Sequence, residues 1–432
     1  MEKPNKRKLK EIESIMFNFI WNGKRDRIKR STMLNVYNNG GLQVPDPSTQ
    51  ADSLKVTWIK KFTDESNRAK WKNVMENKLI VGGTLCIFEC KLSKREIESK
   101  LPNKFWRETF LSWQKIVVNE QNIDESVLYE ALWLNKDLIL EKNVGIPKKQ
   151  LIKRGVLRIR DVYDDGARRF MTTCELTQKY NFGNFLMWHA MLRAVPPDWK
   201  NALRRVNHRV KGTRPDIYDT LNDTTQIAKW AYPILMKTAV VSRPIKAQTK
   251  WEQELQISQV SWPLVFKSLF SSTRDVKLKW LQLRILHRIL PTNRSLRLFG
   301  IKESSKCERC SDPEETIYHV FWDCMYSKRF WARLQERLCL TQPLTPEEII
   351  LGNVNKKGKW AAAPLRMCIL LGKQFIWQCR WSKHIQDVER FSRYVSMYVS
   401  VERCVVERNG GRKRFDETYS DISAILCGAL TS

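Results

Sequence analysis

Four residues within eighteen positions constrain this chain more than any other feature. Cys307, Cys310, His319 and Cys324 spell C-x2-C-x8-H-x4-C. A two-residue gap lets a tight turn aim two thiolates at one ion, and zinc prefers four tetrahedral ligands of thiolate and imidazole type. No other Cys pair in the chain has that gap. On an unbroken α-helix, ~100° per residue would set His319 and Cys324 ~140° apart. Cys324 is therefore expected where the helix loosens. A segment this short has little core of its own, and a structural metal would staple it.

The second constraint is charge. The chain has 432 residues, with 76 Lys plus Arg against 46 Asp plus Glu, a net charge of +30. Such a chain needs polyanionic company, and nucleic acid leads the candidates. Its 17 Trp, 17 Phe and 11 Tyr must be buried or stacked, which argues against disorder as the whole account. Eleven Cys is an odd number without an even framework of spacings, which fits a reducing compartment, nucleus and cytoplasm. No membrane or export signal is read. The longest apolar candidate, Ala361 to Trp377, is broken by Pro364, Arg366, Lys373 and Gln374.

Along the chain, the patterning predicts a mainly α, multi-segment helical protein with a small zinc knuckle. Residues 5–22 read as an amphipathic helix with Leu9, Ile12, Met16 and Phe19 on its face and Asn22-Gly23 as the stop. A basic string follows: Lys24, Arg25, Arg27, Lys29 and Arg30. The turn Asn38-Asn39-Gly40-Gly41 leads to a second helix carrying Leu54, Trp58, Ile59 and Phe62. Two further basic clusters are centred on Lys148, Lys149, Lys153 and Arg154, and on Arg204, Arg205 and Arg209. Each reads either as a solvated helix face or as phosphate contacts, which need charge and reach rather than a motif.

Near Val240 to Lys250 the sequence turns polar and Pro-containing, and a boundary is expected there. The predicted segments are 1–70, 71–245 and 246–432, with the zinc module at about 250–335. A helix is expected from Val276 to Leu290, ended by Pro291. Val276, Trp280, Leu283 and Leu290 mark its apolar face. His287 lies on that stripe as a packed core histidine, and Lys277, Lys279, Arg284 and Arg288 face the other way. Tyr318, Phe321, Trp322, Tyr326, Phe330 and Trp331 crowd the knuckle. They read chiefly as packing groups, with one or two able to stack on bases. Cys86 and Cys90, beside Ile87 and Phe88, read as buried hydrophobes.

No catalytic residue is assigned from the sequence. Val162-Tyr163-Asp164-Asp165 places Val where a polymerase's aromatic-x-Asp-Asp hairpin needs its aromatic residue, so an exposed turn is expected. Gly352 to Trp360 is one residue too long for a phosphate loop and lacks Ser or Thr after the Lys.

These segments together resemble the C-terminal part of LINE-type, non-LTR retrotransposon reverse transcriptases. Phe19-Ile20-Trp21-Asn22-Gly23-Lys24, Arg27-Ile28-Lys29 and Gly40-Gly41-Leu42-Gln43-Val44-Pro45 look like the thumb end. Leu132-Trp133-Leu134-Asn135 and Leu157-Arg158-Ile159-Arg160-Asp161-Val162 look like the connecting region. Lys279-Trp280 to Leu290-Pro291-Thr292, the Cys-Cys-His-Cys cluster and Phe330-Trp331 look like the zinc-binding domain. The resemblance implies a parent protein that nicks DNA and copies its own RNA, with the endonuclease and polymerase palm upstream of Met1. It implies structural zinc and a role in holding template RNA and target DNA within a ribonucleoprotein. Two other readings stay open: a stand-alone or host-adopted zinc-containing nucleic-acid-binding protein, and an enzyme with an unrecognised site.

Overall fold

The computed structural model describes residues 3–64, 66–72, 94–101, 103–119, 126–133, 135, 137–138, 151–152, 154–205, 221, 223–239, 245–310, 314–352, 361–381 and 387–422. These residues are overwhelmingly helical. Their strands are one short antiparallel hairpin, β1 (Tyr163–Asp164) and β2 (Arg169–Phe170). The chain divides into two compact units: Met1–Gly23 with Pro45–Val241, and Lys24–Val44 with Ser242–Ser432. Cys86 and Cys90 lie outside the described residues, as do residues 353–360 of the rejected phosphate-loop string.

In the first unit, α1 (Lys6–Ile20) is one residue shorter at its start and two at its end than the expected 5–22. It ends as expected, with Asn22 and Gly23 both in the left-handed region. Its apolar face differs from the expected one: Phe17 is fully buried, whereas Ile12 is 40% and Phe19 86% exposed. α1 carries two apolar stripes one residue out of phase, and periodicity alone does not say which one finds a partner. α2 (Pro47–Thr63) starts where the Asp46 carboxylate accepts the Thr49 N–H and Pro47 fits the first turn. It packs against α3 (Lys104–Asn119). Val56, Ile59, Phe62, Phe110, Trp113 and Ile116 fill the shared core.

A second core of this unit gathers around Trp133 and Trp188. It is enclosed by α4 (Thr173–Tyr180), α5 (Phe185–Ala194) and α6 (Pro197–Arg205). Here two strings 25 residues apart meet: the Leu132 N–H donates to Leu157 O at 2.9 Å, and the Trp133 indole to Val156 O at 2.7 Å. The Asp164 carboxylate accepts the Gly166 and Ala167 N–H groups, closing the β1–β2 turn in which Asp165 lies exposed. α7 (Ile227–Ala239) returns to the α2–α3 core.

The second unit opens with α8 (Lys246–Leu255), α9 (Trp262–Ser272) and α10 (Val276–Leu286). α10 stops four residues short of the expected Leu290. Arg288 takes a left-handed conformation, and the Ile289 N–H folds back to Arg284 O at 2.9 Å. Pro291 forbids the helix from running on. Its buried residues are Leu278, Leu281, Gln282, Leu283, Ile285 and Leu286, while Val276, expected on that face, is 74% exposed.

Later elements are α11 (Asn293–Leu298), α12 (Met325–Arg337), α13 (Pro346–Leu351), α14 (Ala362–Trp381), α15 (Val388–Asn409) and α16 (Arg412–Ile422). α14 is the centre. Leu365, Ile369, Leu371, Phe375 and Ile376 bury almost every side of it, and α9, α10, α15 and α16 pack on it. No helix among the described residues is long and apolar enough to cross a membrane. Gly372 is required there, because a Cβ would come within 2.7 Å of the Trp331 ring.

Residues 24–44 join this unit through the Gly-Gly turn. A Cβ on Gly40 would lie 2.5 Å from Ile245 Cδ1, and one on Gly41 1.9 Å from Asn35 O. The Gly40 carbonyl meets the buried His287 Nε2 at 2.9 Å. His287 is thus a core histidine, and burial holds its pKa below the usual range despite that contact.

One charge sits at the heart of α14. Lys373 is fully buried, with Gln282 Oε1 as its hydrogen-bond acceptor; the Gln282 amide donates to Ile350 O and Leu351 O at 3.0 Å each. Burial pushes the Lys373 pKa down to about 7 from 10.5. Between those values the unfolded chain binds more protons than the folded one, so stability rises with pH across the window and is lowest below it. Lys373→Met removes this penalty, less ~1–3 kcal/mol for the orphaned Gln282 oxygen. The variant should melt higher than wild type at pH 7, by roughly 5 °C. Thermal melts at pH 7, 8.5 and 10 check this: the gap should close as pH rises.

Candidate metal centre

The metal centre is built between α11 and α12. Cys307 and Cys310 lie on a tight turn, and His319 and Cys324 bracket a single π-helical turn, His319–Asp323. The Cys324 N–H donates to His319 O at 2.8 Å, an i→i+5 bond. That wider turn brings residues five apart back to one side, which an α-helix cannot do. The helix loosens here, where the spacing requires it. One ligand atom from each of the four residues lies within 4.8 Å of all the others. Cys310 Sγ and His319 Nε2 are 3.3 Å apart.

This cluster fits zinc. Zn–S near 2.3 Å and Zn–N near 2.0–2.1 Å set tetrahedral ligand separations of about 3.6–3.8 Å, inside the span of the cluster. Cys307, His319 and Cys324 are each at most 4% exposed. Hydrogen bonding from Cys324 holds the Cys307 thiol well below its usual pKa, against the penalty of burial. His319 and the backbone N–H groups of Cys310 and Arg309 act in the same direction. The Cys324 thiol is pushed up, by Cys307 first and burial second. These contacts favour the thiolate at Cys307, the form that ligates metal.

Contacts distant in sequence hold the cluster in place. Glu315, four residues before His319, is 2% exposed and ion-paired with Arg380 of α14. Its carboxylate also accepts the Asn293 N–H at 2.8 Å. The Asn293 amide donates to Lys306 O at 2.8 Å, and Lys302 Nζ to Asn293 Oδ1 at 3.0 Å. Glu315, Arg380 and Asn293 escaped the sequence reading because no motif spacing links them. Of the crowding aromatics, Phe321, Phe330 and Trp331 are buried and pack; Tyr318, Trp322 and Tyr326 are half-buried. The Trp331 indole donates to Phe321 O at 2.7 Å, tying α12 to the π turn.

The basic residues fall into different environments. Lys24, Arg25, Arg27 and Lys29 are exposed, and the buried Ile28 anchors their string. Arg30 is half-buried and paired with Asp26 at 2.7 Å. Arg154 donates to Tyr180 O and Asn181 O at 2.8 Å each, closing the end of α4. Arg204 is exposed on α6, which Arg205 ends. Lys277 is exposed and Lys279 half-buried. Arg284 is half-buried, and burial, then the neighbouring Arg27, depress its pKa. Arg288 is ion-paired with Glu254 and lies 4.1 Å over the Trp251 ring. Lys148, Lys149, Lys153 and Arg209 lie outside the described residues.

Purified protein should contain about one zinc per chain, and a Cys310→Ser, Cys324→Ser double variant should lose it. Metal analysis reads both; full retention by the double variant would exclude this ligand set. The loss should unfold the knuckle and leave the remaining helices, whose apolar faces are independent of the metal, so that far-ultraviolet circular dichroism changes little.

No curated protein matches the chain. Residues 246–331, which include all four cluster residues, match the family described as zinc-binding in reverse transcriptase, and this part of the chain is a reverse-transcriptase-related zinc-binding region.

Proposed function

We propose that the chain is the nucleic-acid-holding, C-terminal portion of a LINE-type non-LTR retrotransposon reverse transcriptase. In this reading it grips template RNA and target DNA, while polymerase and endonuclease chemistry is done by other parts of the parent protein. The observation that carries the reading is the largely buried Cys3His cluster inside the reverse-transcriptase-type zinc segment, in a chain of net charge +30. Zinc, when bound, supplies a fixed crosslink and no chemistry on substrate.

The protein's own residues supply the grip. Phosphate contacts require cations that reach solvent, and Lys24, Arg25, Arg27 and Lys29 do so on a backbone pinned by Ile28. Such contacts fix position and carry no sequence information. Asp164 and Asp165 fit a non-catalytic role: Asp164 is engaged by its own turn, and Asp165 stands in the exposed loop beside Arg168 and Arg169.

Affinity for single strands should fall with salt at a log–log slope of about −0.7 for each phosphate neutralised. Replacing Lys24, Arg25, Arg27 and Lys29 together by Ala should make that slope shallower by about 3, to the same degree on RNA and DNA of unrelated sequence. Anisotropy titrations at several salt concentrations measure it. A wild-type affinity that ignores salt would end the nucleic-acid reading.

A further inference from the structure

The chain makes a conspicuous exposure beside the metal centre. Leu298 is 77%, Phe299 74% and Ile301 68% exposed. Nowhere else among the described residues do three large apolar side chains, each at least two-thirds exposed, fall within four positions. Soluble surfaces scatter such groups singly; a contiguous set marks a binding site.

The set is also held rigidly. Gly300 takes φ +68°, and after α11 the Ile301 N–H donates to Leu296 O at 2.9 Å while the Gly300 N–H donates to Arg297 O at 2.9 Å. A helix that ends this way commonly packs the residue after its glycine back on its own last turn. Here that residue, Ile301, points to solvent with Leu298 and Phe299. The next residue, Lys302, bonds Asn293 Oδ1 and pairs with Glu308, which lies between Cys307 and Cys310. The apolar tip and the knuckle are therefore one stapled piece.

The charge around the tip selects its occupant. Positions 294–310 carry five basic residues against two acidic ones, Glu303 and Glu308. Arg294, Arg297 and Lys306 are exposed. Arg294 is paired with Glu314 at 3.2 Å, and the Arg297 guanidinium contacts Ser305 Oγ at 3.4 Å. A protruding aromatic ring among cations suits a ligand with flat apolar faces strung on anions.

We infer that Leu298, Phe299 and Ile301 form a stacking platform for unpaired bases of single-stranded nucleic acid, with Arg297 and Lys306 on the flanking phosphates. The inference rests on the nucleic-acid reading above and adds to it a site and a preference for single strands. Bases stacked in a duplex cannot offer their faces to Phe299; in a single strand every base can.

The test uses the full zinc-loaded chain, a labelled single-stranded oligonucleotide, the same oligonucleotide with abasic positions, and a duplex of equal charge. Wild type should bind the intact single strand about tenfold or more tightly than the abasic one. Phe299→Ala should lose that advantage, binding both alike, with the salt slope and the zinc content unchanged. Arg297→Ala with Lys306→Ala should make the slope shallower by about 1.4 instead. Because Phe299 is exposed, its truncation leaves the core intact, and zinc content verifies this. If Phe299→Ala binds like wild type, the platform is refuted while the nucleic-acid reading survives. A change of oligomeric state in Phe299→Ala would mark the tip as a protein–protein surface and refute the platform too. If wild type binds no oligonucleotide at all, both fail together.

Discussion

An ion pair almost without access to water ties the metal centre to the rest of its unit. Glu315 and Arg380 come from positions 65 residues apart, and their side chains are 3% and 7% exposed. Neither charge is tolerable alone at that depth; breaking such a pair costs ~3–5 kcal/mol, most of it the stranded partner. The pair does more than stabilise. The Glu315 carboxylate also holds the first N–H of α11, and the Arg380 guanidinium also donates to Asn293 Oδ1 at 3.0 Å. Lys306, next to the ligand Cys307, the start of α11 and the end of α14 therefore share one set of hydrogen bonds. A metal would complete an arrangement whose outer half the protein has already built.

The Cys3His cluster was legible in the sequence because its geometry is local. Within eighteen positions, donor chemistry and spacing dictate both the metal and the break in the helix. The π turn satisfies the angular mismatch between His319 and Cys324 directly. Helical character was legible too, because periodicity registers it. What periodicity does not register is which face meets a partner: α1 buries Phe17 and leaves Phe19 in solvent, and α10 buries Leu278 rather than Val276. In both helices the apolar residues outnumber those that one face can hold, so tertiary packing decides.

Charge was the feature the sequence described least well. Arg154, Arg288 and Arg380 look alike in a list of cations, yet each is engaged by the protein itself, Arg154 at the surface on helix-end carbonyls, Arg288 on Glu254 over Trp251, and Arg380 on Glu315. Lys373 lies in an apolar helix and reads there as an interruption that excludes a membrane span. Folding instead places it at the centre of a packed unit, where burial alone shifts its titration into the neutral range. A formal charge thus overstates what remains for an anionic partner, and part of the remainder lies in the exposed string Lys24 to Lys29.

The Gly40–Gly41 turn bears on how this chain comes to be folded. During synthesis, residues 24–44 leave the ribosome roughly 200 residues before Ile245, Phe266 and His287, against which the turn closes. At ~5–20 residues per second, the segment waits some tens of seconds for its partners. The Gly40 turn, which closes against Ile245, Phe266 and His287, remains uncovered in that interval. A fragment begun at Ser242 would have the reverse defect, a permanent vacancy where the turn inserts. The second unit is thus a discontinuous piece of the gene, and any dissection of this protein by simple truncation cuts through its core.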